Sequence, residues 1–212
     1  MAPQNLKLND NVINTVDKIK LLGTIITSDL KWKENTSLIC SKVNKKLYII
    51  SKLKQFGLLI EELIKVWKTI LRPITEYAAP LWHPGLTDAD SKKIESLQKK
   101  VLGMILGTLY IENRRYYKVD GIATTYEDTL QKYGLTTLHQ RREVLTQKFA
   151  TQTIMNSIHK NMFELRKKRT MDTRRHVIVE EIKCKKDRYY NSAIPYMARI
   201  LNGVYIAENI DK

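Results

Sequence analysis

From Lys33 onward the apolar positions recur at steps of four and three. Ile39, Val43, Leu47, Ile50 and Leu53 share one face of a helix predicted over Lys33–Gln55, with Ser28 or Asp29 capping the turn into it and Gly57 as its stop. Lys42, Lys45, Lys46, Lys52 and Lys54 occupy the other face. A second stripe, Leu63, Trp67, Ile70, Leu71, Ile74, Tyr77, Ala78 and Leu81, predicts a helix over Ile60–Trp82. Pro73 lacks an N–H and should kink or break this helix near Thr69–Arg72, and Pro80 and Pro84 end it. The connection at Gly57 is short, so the two helices form a hairpin whose apolar stripes need a common partner. Thr87-Asp88-Ala89-Asp90 reads as a capping box for a third helix, Ala89–Leu106, which buries Ile94, Leu97, Val101 and Ile105 and ends at Gly107.

The flanks are less regular. Leu6–Leu8 and Val12–Val16 around Asn9-Asp10-Asn11 suggest a β-hairpin, and the β-branched run Lys18–Thr27 suggests a strand. Thr108–Tyr126 reads as an aromatic and basic loop, with a turn at Asp120-Gly121. A fourth helix follows at Tyr126–Tyr133 and stops at Gly134. A fifth, capped by Thr136 or Thr137, runs to about Lys160 with Leu138, Leu145, Phe149 and Ile154 toward a core. Arg174–Ile182 suits a short strand, and a last helix spans Ala193–Leu201, capped by Asn191 or Ser192 and ending at Asn202-Gly203. The fold class is therefore mainly α: a helical bundle with a small N-terminal β portion. The chain divides into residues 1–30, a β portion; 31–107, the helical bundle; and 108–212, a basic helical extension.

Composition sharpens the picture. The 212 residues fit one domain, or one and a half, and 43% hydrophobic content can support a core. Lys and Arg number 37 against 22 Asp and Glu, a formal charge of +15 and a pI near 9.7. Such an excess points to a polyanion, of which nucleic acid is the commonest, although a soluble basic protein has the same composition. The two cysteines, Cys40 and Cys184, are far apart and read as free thiols. No apolar run is long enough for a membrane helix, and Met1–Asn11 is too polar for a signal peptide, so the expected location is intracellular, nuclear or cytoplasmic, with no membrane partner.

Candidate chemistry is sparse. His83, His139, His159 and His176 are scattered, with no metal-binding spacing, and no phosphate-binding glycine loop or nucleophile elbow occurs. Asp88 and Asp90 are explained by the helix dipole rather than by a metal. No two aspartates are adjacent. Binding remains. Lys42, Lys45, Lys46 and Lys52 form a face that suits phosphates, or equally an ordinary solvated helix surface. Arg114, Arg115, Tyr116 and Tyr117 mix cations with planar rings, which suits single-stranded RNA, or an exposed loop anchored by its tyrosines. Lys167, Lys168 and Arg169 mark the most basic stretch. Trp32, Trp67 and Trp82 read as core rather than as stacking platforms.

Several pieces carry a resemblance to a known family. They are Leu21-Leu22-Gly23 with Thr27-Ser28-Asp29-Leu30-Lys31-Trp32; Arg72-Pro73-Ile74-Thr75-Glu76-Tyr77-Ala78 with Leu81-Trp82; Ile94 through Leu102; Leu135 through Leu138 with Arg141-Arg142; and Arg188-Tyr189-Tyr190-Asn191-Ser192 through Ile194-Pro195 to Leu201-Asn202. In order and spacing they resemble the part of a non-LTR retrotransposon reverse transcriptase, of the jockey kind, that follows the polymerase active site. The family often has a histidine soon after the first tryptophan, and here Glu34, Asn35 and Thr36 stand in that place. The resemblance implies a fragment of an RNA-directed DNA polymerase. Leu21, Leu22 and Gly23 would be its primer grip, residues 31–107 a thumb along an RNA or RNA–DNA template–primer, and residues 1–30 a remnant of the palm. The paired aspartates that hold Mg²⁺ in the parent polymerase would lie upstream, so this chain would carry no catalytic residue, cofactor or metal of its own and would not be an enzyme alone. Arg141-Arg142 matches the family's pair, with a buried carboxylate or a phosphate as alternative partners.

Overall fold

The computed structural model describes residues 7–8, 11–12, 14–156, 158–164 and 179–210. It is mainly α, with two small antiparallel pairs near the N-terminus and a three-stranded sheet in the middle of the chain. Strands β1 (Lys7–Leu8) and β2 (Asn11–Val12) pair as expected of a hairpin. The run Lys18–Thr27 is not one strand. It is a second hairpin, β3 (Lys18–Leu21) and β4 (Thr24–Thr27), in which Leu21 pairs with Thr24 across a two-residue turn. Leu22 and Gly23 both take positive φ, 45° and 85°, as a twisted two-residue hairpin requires. The tip is fastened from outside, because the Tyr77 hydroxyl donates to the Leu22 carbonyl at 2.7 Å.

Of Ser28 and Asp29, Asp29 caps the turn that leads into the first helix, not the helix itself. The N-cap of the helix is Trp32. Asp29 closes the preceding turn, accepting from the Thr27 hydroxyl (2.7 Å) and the Lys31 N–H (3.1 Å), and these bonds hold its carboxyl at about 2. Helices α1 (Lys33–Lys46) and α2 (Tyr48–Gln55) are separated only by Leu47, where the ladder tightens to a bond from Leu47 N–H to Asn44 O. The face persists across this step: Ile39, Val43, Leu47 and Ile50 are all buried. Each such side chain contributes about 1.5–3 kcal/mol by leaving water. At the far end the Leu58 N–H bonds to Leu53 O and the Gly57 N–H to Lys54 O, with Gly57 at φ 83°. That is the glycine-terminated closure expected of the hairpin turn.

The second arm is more broken than one kinked helix. Helix α3 (Ile60–Val66) widens into a π-turn at Trp67–Leu71, just before Pro73 in α4 (Arg72–Glu76). The widened turn accommodates a residue that cannot donate to the ladder. A further break, not anticipated, falls at Tyr77 and Ala78. Ala78 is left-handed (φ 52°), and α5 (Ala79–Trp82) and a 3₁₀ turn at His83–Gly85 follow. The Tyr77 carbonyl freed by the break accepts from Trp82 Nε1 at 2.9 Å.

Helix α6 (Asp88–Leu106) is the axis of the fold, packed against α1, α2, α3 and later elements. Thr87 caps it through a bond from the Asp90 N–H. The region 108–124, expected as a loop in a helical extension, is a meander of β5 (Thr108–Ile111), β6 (Arg114–Val119) and β7 (Ile122–Thr124). Both of its turns, Glu112-Asn113 and Asp120-Gly121, have paired positive φ values. Helix α7 (Tyr126–Lys132) starts at Thr125, and α8 (Leu138–Met155) starts at Thr137 with a reciprocal Gln140 cap.

The main core joins α1–α3, Trp67, Leu71, Ala79, Trp82, α6, Tyr117, Val119 and Leu138. Trp67 and Trp82 are fully buried, as expected of core residues, while Trp32 is half-buried. A smaller core gathers Ala150, Phe163, Val179, Met197, Ala198 and Leu201. Two expectations for α8 fail. It ends at Met155 rather than near Lys160, and Phe149 is exposed because the inward face runs Leu138, Arg142, Thr146, Ala150 and Thr153. A short helix α9 (Asp187–Tyr190) precedes α10 (Ala193–Ile210), which runs on through Asn202 and Gly203. Asn202 does not end α10. It is buried and pairs with the Val179 backbone in both directions, at 3.1 Å each. Residues 174–178 of the expected late strand lie outside the described residues. No described helix is long and apolar enough to cross a membrane.

Candidate nucleic-acid interface

The chain's cations divide into two populations. Arg72 and Arg141 converge on one carboxylate, Glu76, between α4 and α8. Arg72 Nε lies 3.2 Å from it, and Arg141 donates to both of its oxygens at 3.0 and 3.1 Å. Of the two partners open for Arg141, the structure therefore supplies the carboxylate. Arg142 is fully buried over the Trp82 ring, donating to Ser91 Oγ (3.0 Å) and His83 Nδ1 (3.4 Å). Burial pulls its guanidinium down to about 10, so it stays charged at neutral pH. Burial, then the neighbouring Arg142 and His139, pulls the His83 imidazole down to about 3, so His83 is neutral there.

Carboxylates are engaged in the same way. Glu95 accepts from the Tyr126 hydroxyl at 2.5 Å and from the Leu138 and His139 N–H groups at the start of α8. Burial, and then Glu95, raises the Tyr126 phenol far above its ordinary value. Behind it, Gln98 links Trp67 Nε1 to Tyr126 and the Thr136 carbonyl. Glu62 accepts from the Leu59 N–H at the head of α3.

The lysines of α1 and α2 are the other population. Lys45, Lys46 and Lys52 are exposed, and Lys42 is half-buried. Among the described residues none of these four forms an ion pair. They do not share one face equally. At about 100° per residue, Lys45 and Lys52 lie opposite the buried stripe, whereas Lys42 and Lys46 lie at its margin. Lys42 leans toward the Gly23 carbonyl (3.5 Å), and Lys54, grouped with that face, turns away to bind the Met104 and Ile105 carbonyls of α6 at 2.8 Å each.

The other expected contacts are placed differently. Arg114, Arg115, Tyr116 and Tyr117 lie on β6, where strand alternation sends Arg115 and Tyr117 to one side and Arg114 and Tyr116 to the other. Tyr117 is buried, with its hydroxyl on the Lys99 carbonyl, and is closed to a base. Arg115 is held across the hairpin by the Tyr110 hydroxyl at 2.9 and 3.1 Å, while Arg114 is exposed. Lys167, Lys168 and Arg169 lie outside the described residues. Leu21 and Leu22 are exposed at the β3–β4 tip, Leu22 at 83%, so this expected grip is a hairpin turn rather than the middle of a strand.

Two histidines that look scattered in sequence meet in space. His83 and His139 pack edge to face with ring centroids 5.1 Å apart, and with Glu143 their ligand atoms lie within 4.8 Å of one another. The Arg142 guanidinium bonds His83 Nδ1 and places a positive charge beside these three side chains, which disfavours a divalent cation there.

Distant segments also converge next to His83, on the same 3₁₀ turn. Trp32 lies against Gly85, where an added Cβ would fall 2.6 Å from Trp32 Nε1. Arg188 Nη1 donates to the Asp29 carbonyl at 2.6 Å. An apolar groove, lined in part by Leu30, Trp32, Pro84, Phe149, Phe163 and Ile194, runs alongside. No family model matches the chain, and no curated protein or solved structure matches it.

Proposed function

We propose that the chain binds nucleic acid through the lysine face of α1 and α2, as the post-palm part of a retrotransposon RNA-directed DNA polymerase. One observation carries the binding role. Lys45, Lys46 and Lys52 project outward without ion pairs among the described residues, while Glu76, Glu95 and Glu62 are engaged within the fold. A surface left this positive recruits phosphates, and the counterions released supply most of the affinity. The rigid two-helix support, fixed to α6 by its buried stripe, suits a thumb laid along an RNA–DNA template–primer.

The retroelement reading is supported by where its sequence pieces lie. Leu22 meets Tyr77, Glu76 meets Arg141, and Asp29 meets Arg188. Each contact joins two segments of the resemblance that are far apart in sequence. In this role the chain positions a duplex or an RNA for an active site on an upstream palm, which supplies the aspartates and Mg²⁺. A stand-alone nucleic-acid-binding protein derived from a retroelement would use the same face. A helical protein-interaction module is the second reading, favoured by the apolar groove between Trp32 and Ile194.

Fluorescence-anisotropy titrations of labelled RNA–DNA hybrid and labelled single-stranded RNA, each at several salt concentrations, separate these readings. The phosphate reading expects affinity to fall linearly with the logarithm of salt on a log scale. Absence of binding to both at low salt contradicts it, and a protein partner captured in the groove should hold at high salt.

A further inference from the structure

The outward side of α1 and α2 carries more than lysines. At about 100° per residue, Lys45, Tyr48, Lys52 and Phe56 fall on one line opposite the buried stripe. Cation and ring alternate along it. Tyr48 is 64% exposed and Phe56 79% exposed, and neither belongs to either core. From Tyr48 to Phe56 the line covers about 12 Å, roughly three stacked nucleotide steps.

The fold does not need these two rings. Phe56 occupies the last position of the α2 closure, where the bonds of Phe56, Gly57 and Leu58 are made by backbone alone. Leu58, not Phe56, packs on the core. The closure nevertheless holds Phe56 on a rigid support, with little conformational freedom to lose on binding. Of the two acidic groups that follow, Glu62 is bonded to the Leu59 N–H, while Glu61 is exposed. Lys52 is held lightly by Gln55 Oε1 at 3.3 Å.

We propose that Lys45, Tyr48, Lys52 and Phe56 form a track for single-stranded nucleic acid, with unpaired bases stacked on the two rings and phosphates taken by the two ammonium groups. The inference rests on the nucleic-acid reading and deepens it by naming the ligand as an unpaired strand. Rings of this kind are sequence-tolerant, since every base has a flat face, and the intervening cations follow the backbone. A base paired in a duplex cannot reach them, which predicts a preference rather than a general affinity.

The test compares the full chain with Y48A/F56A and with Y48W/F56W. Four probes are used: a short labelled single-stranded RNA, the same RNA with abasic positions, an RNA–DNA hybrid, and phosphatidylserine vesicles. The proposal expects the double alanine variant to lose at least about thirtyfold in affinity for the single strand, since each stacked ring is worth at least about fivefold. Its salt slope should be unchanged, because no phosphate contact is removed. The tryptophan variant should retain the affinity. The abasic strand should bind the wild type as weakly as the intact strand binds the alanine variant. Hybrid affinity should change less than about threefold, by the same stacking argument. Unchanged single-strand binding by Y48A/F56A overturns the track and leaves the nucleic-acid reading standing, as does an equal loss on the hybrid. Loss of binding to phosphatidylserine vesicles with no loss on RNA assigns the rings to a membrane surface and overturns it also. No binding of any nucleic acid by the wild type overturns both readings together.

Discussion

The α4–α8 seam and the outer side of α1–α2 use cations in opposite ways. On the seam, two guanidinium groups share the Glu76 carboxylate and a third lies buried over Trp82. On α1–α2, the ammonium groups of Lys45, Lys46 and Lys52 reach into solvent, and none of the three is ion-paired among the described residues. The residue types suit the two tasks. A guanidinium is planar, weakly hydrated and able to grip a carboxylate with two bonds, whereas an ammonium is strongly hydrated and favours the surface. Net charge therefore overstates what is available to a ligand at one place and understates it at another. Arg141 and Arg142 look as basic in sequence as any lysine pair, yet they hold helices together. The seam should govern stability, and the outer side should govern binding.

The largest separation of the two comes from Glu76→Ala. It removes the shared carboxylate and leaves Arg72 and Arg141 facing each other. Breaking a largely buried pair costs about 3 kcal/mol or more, read as a lower denaturation midpoint. Next is pH. His83 is neutral in the fold, with its pKa pulled from 6.5 to about 3. The unfolded chain therefore binds a proton that the folded chain refuses between these values. Stability falls as pH drops from about 6.5 toward 3, by up to about 1.4 kcal/mol per pH unit, and is insensitive to His83 above that window. A series of denaturant melts should show this slope, and His83→Gln, which takes up no proton, should flatten it. The smallest effect on stability belongs to Lys45→Ala with Lys52→Ala, expected within about 0.5 kcal/mol because both side chains are exposed. A large loss of stability there would erase the division of labour.

Much of this architecture can be read from residue spacing. The stripes of α1–α2 and α6 are strongly periodic, and Thr87 and Thr137 mark helix starts where an N-cap is needed. Misreadings arise where tertiary contacts overrule local pattern. Helix α8 turns Arg142, Thr146 and Thr153 inward, so a search for apolar periodicity selects Phe149, which is exposed. The meander at 108–124 sets its cations and rings in pairs, Arg114-Arg115 and Tyr116-Tyr117, instead of alternating apolar with polar, and its Asp120-Gly121 turn is its clearest strand signal. Gly203 looks like a helix stop, but Asn202 is engaged with Val179 and α10 continues. The partner of Arg141 lies 65 residues away, beyond the reach of any local pattern. Tyr48 and Phe56 carry no local signal, because they fall outside both the apolar stripe and the lysine set of the helix.

The central claim is that α1–α2 cations contact phosphate and seam cations do not. The direct measurement is the slope of log affinity against log salt for single-stranded RNA. It is taken for the wild type, for Lys45→Ala with Lys52→Ala, and for Arg141→Gln at a temperature where all three are folded. Two lost phosphate contacts should shallow the slope by about 1.4 in the lysine variant, and Arg141→Gln should leave it unchanged. An unchanged slope in the lysine variant, or a shallower one in Arg141→Gln, would contradict the account.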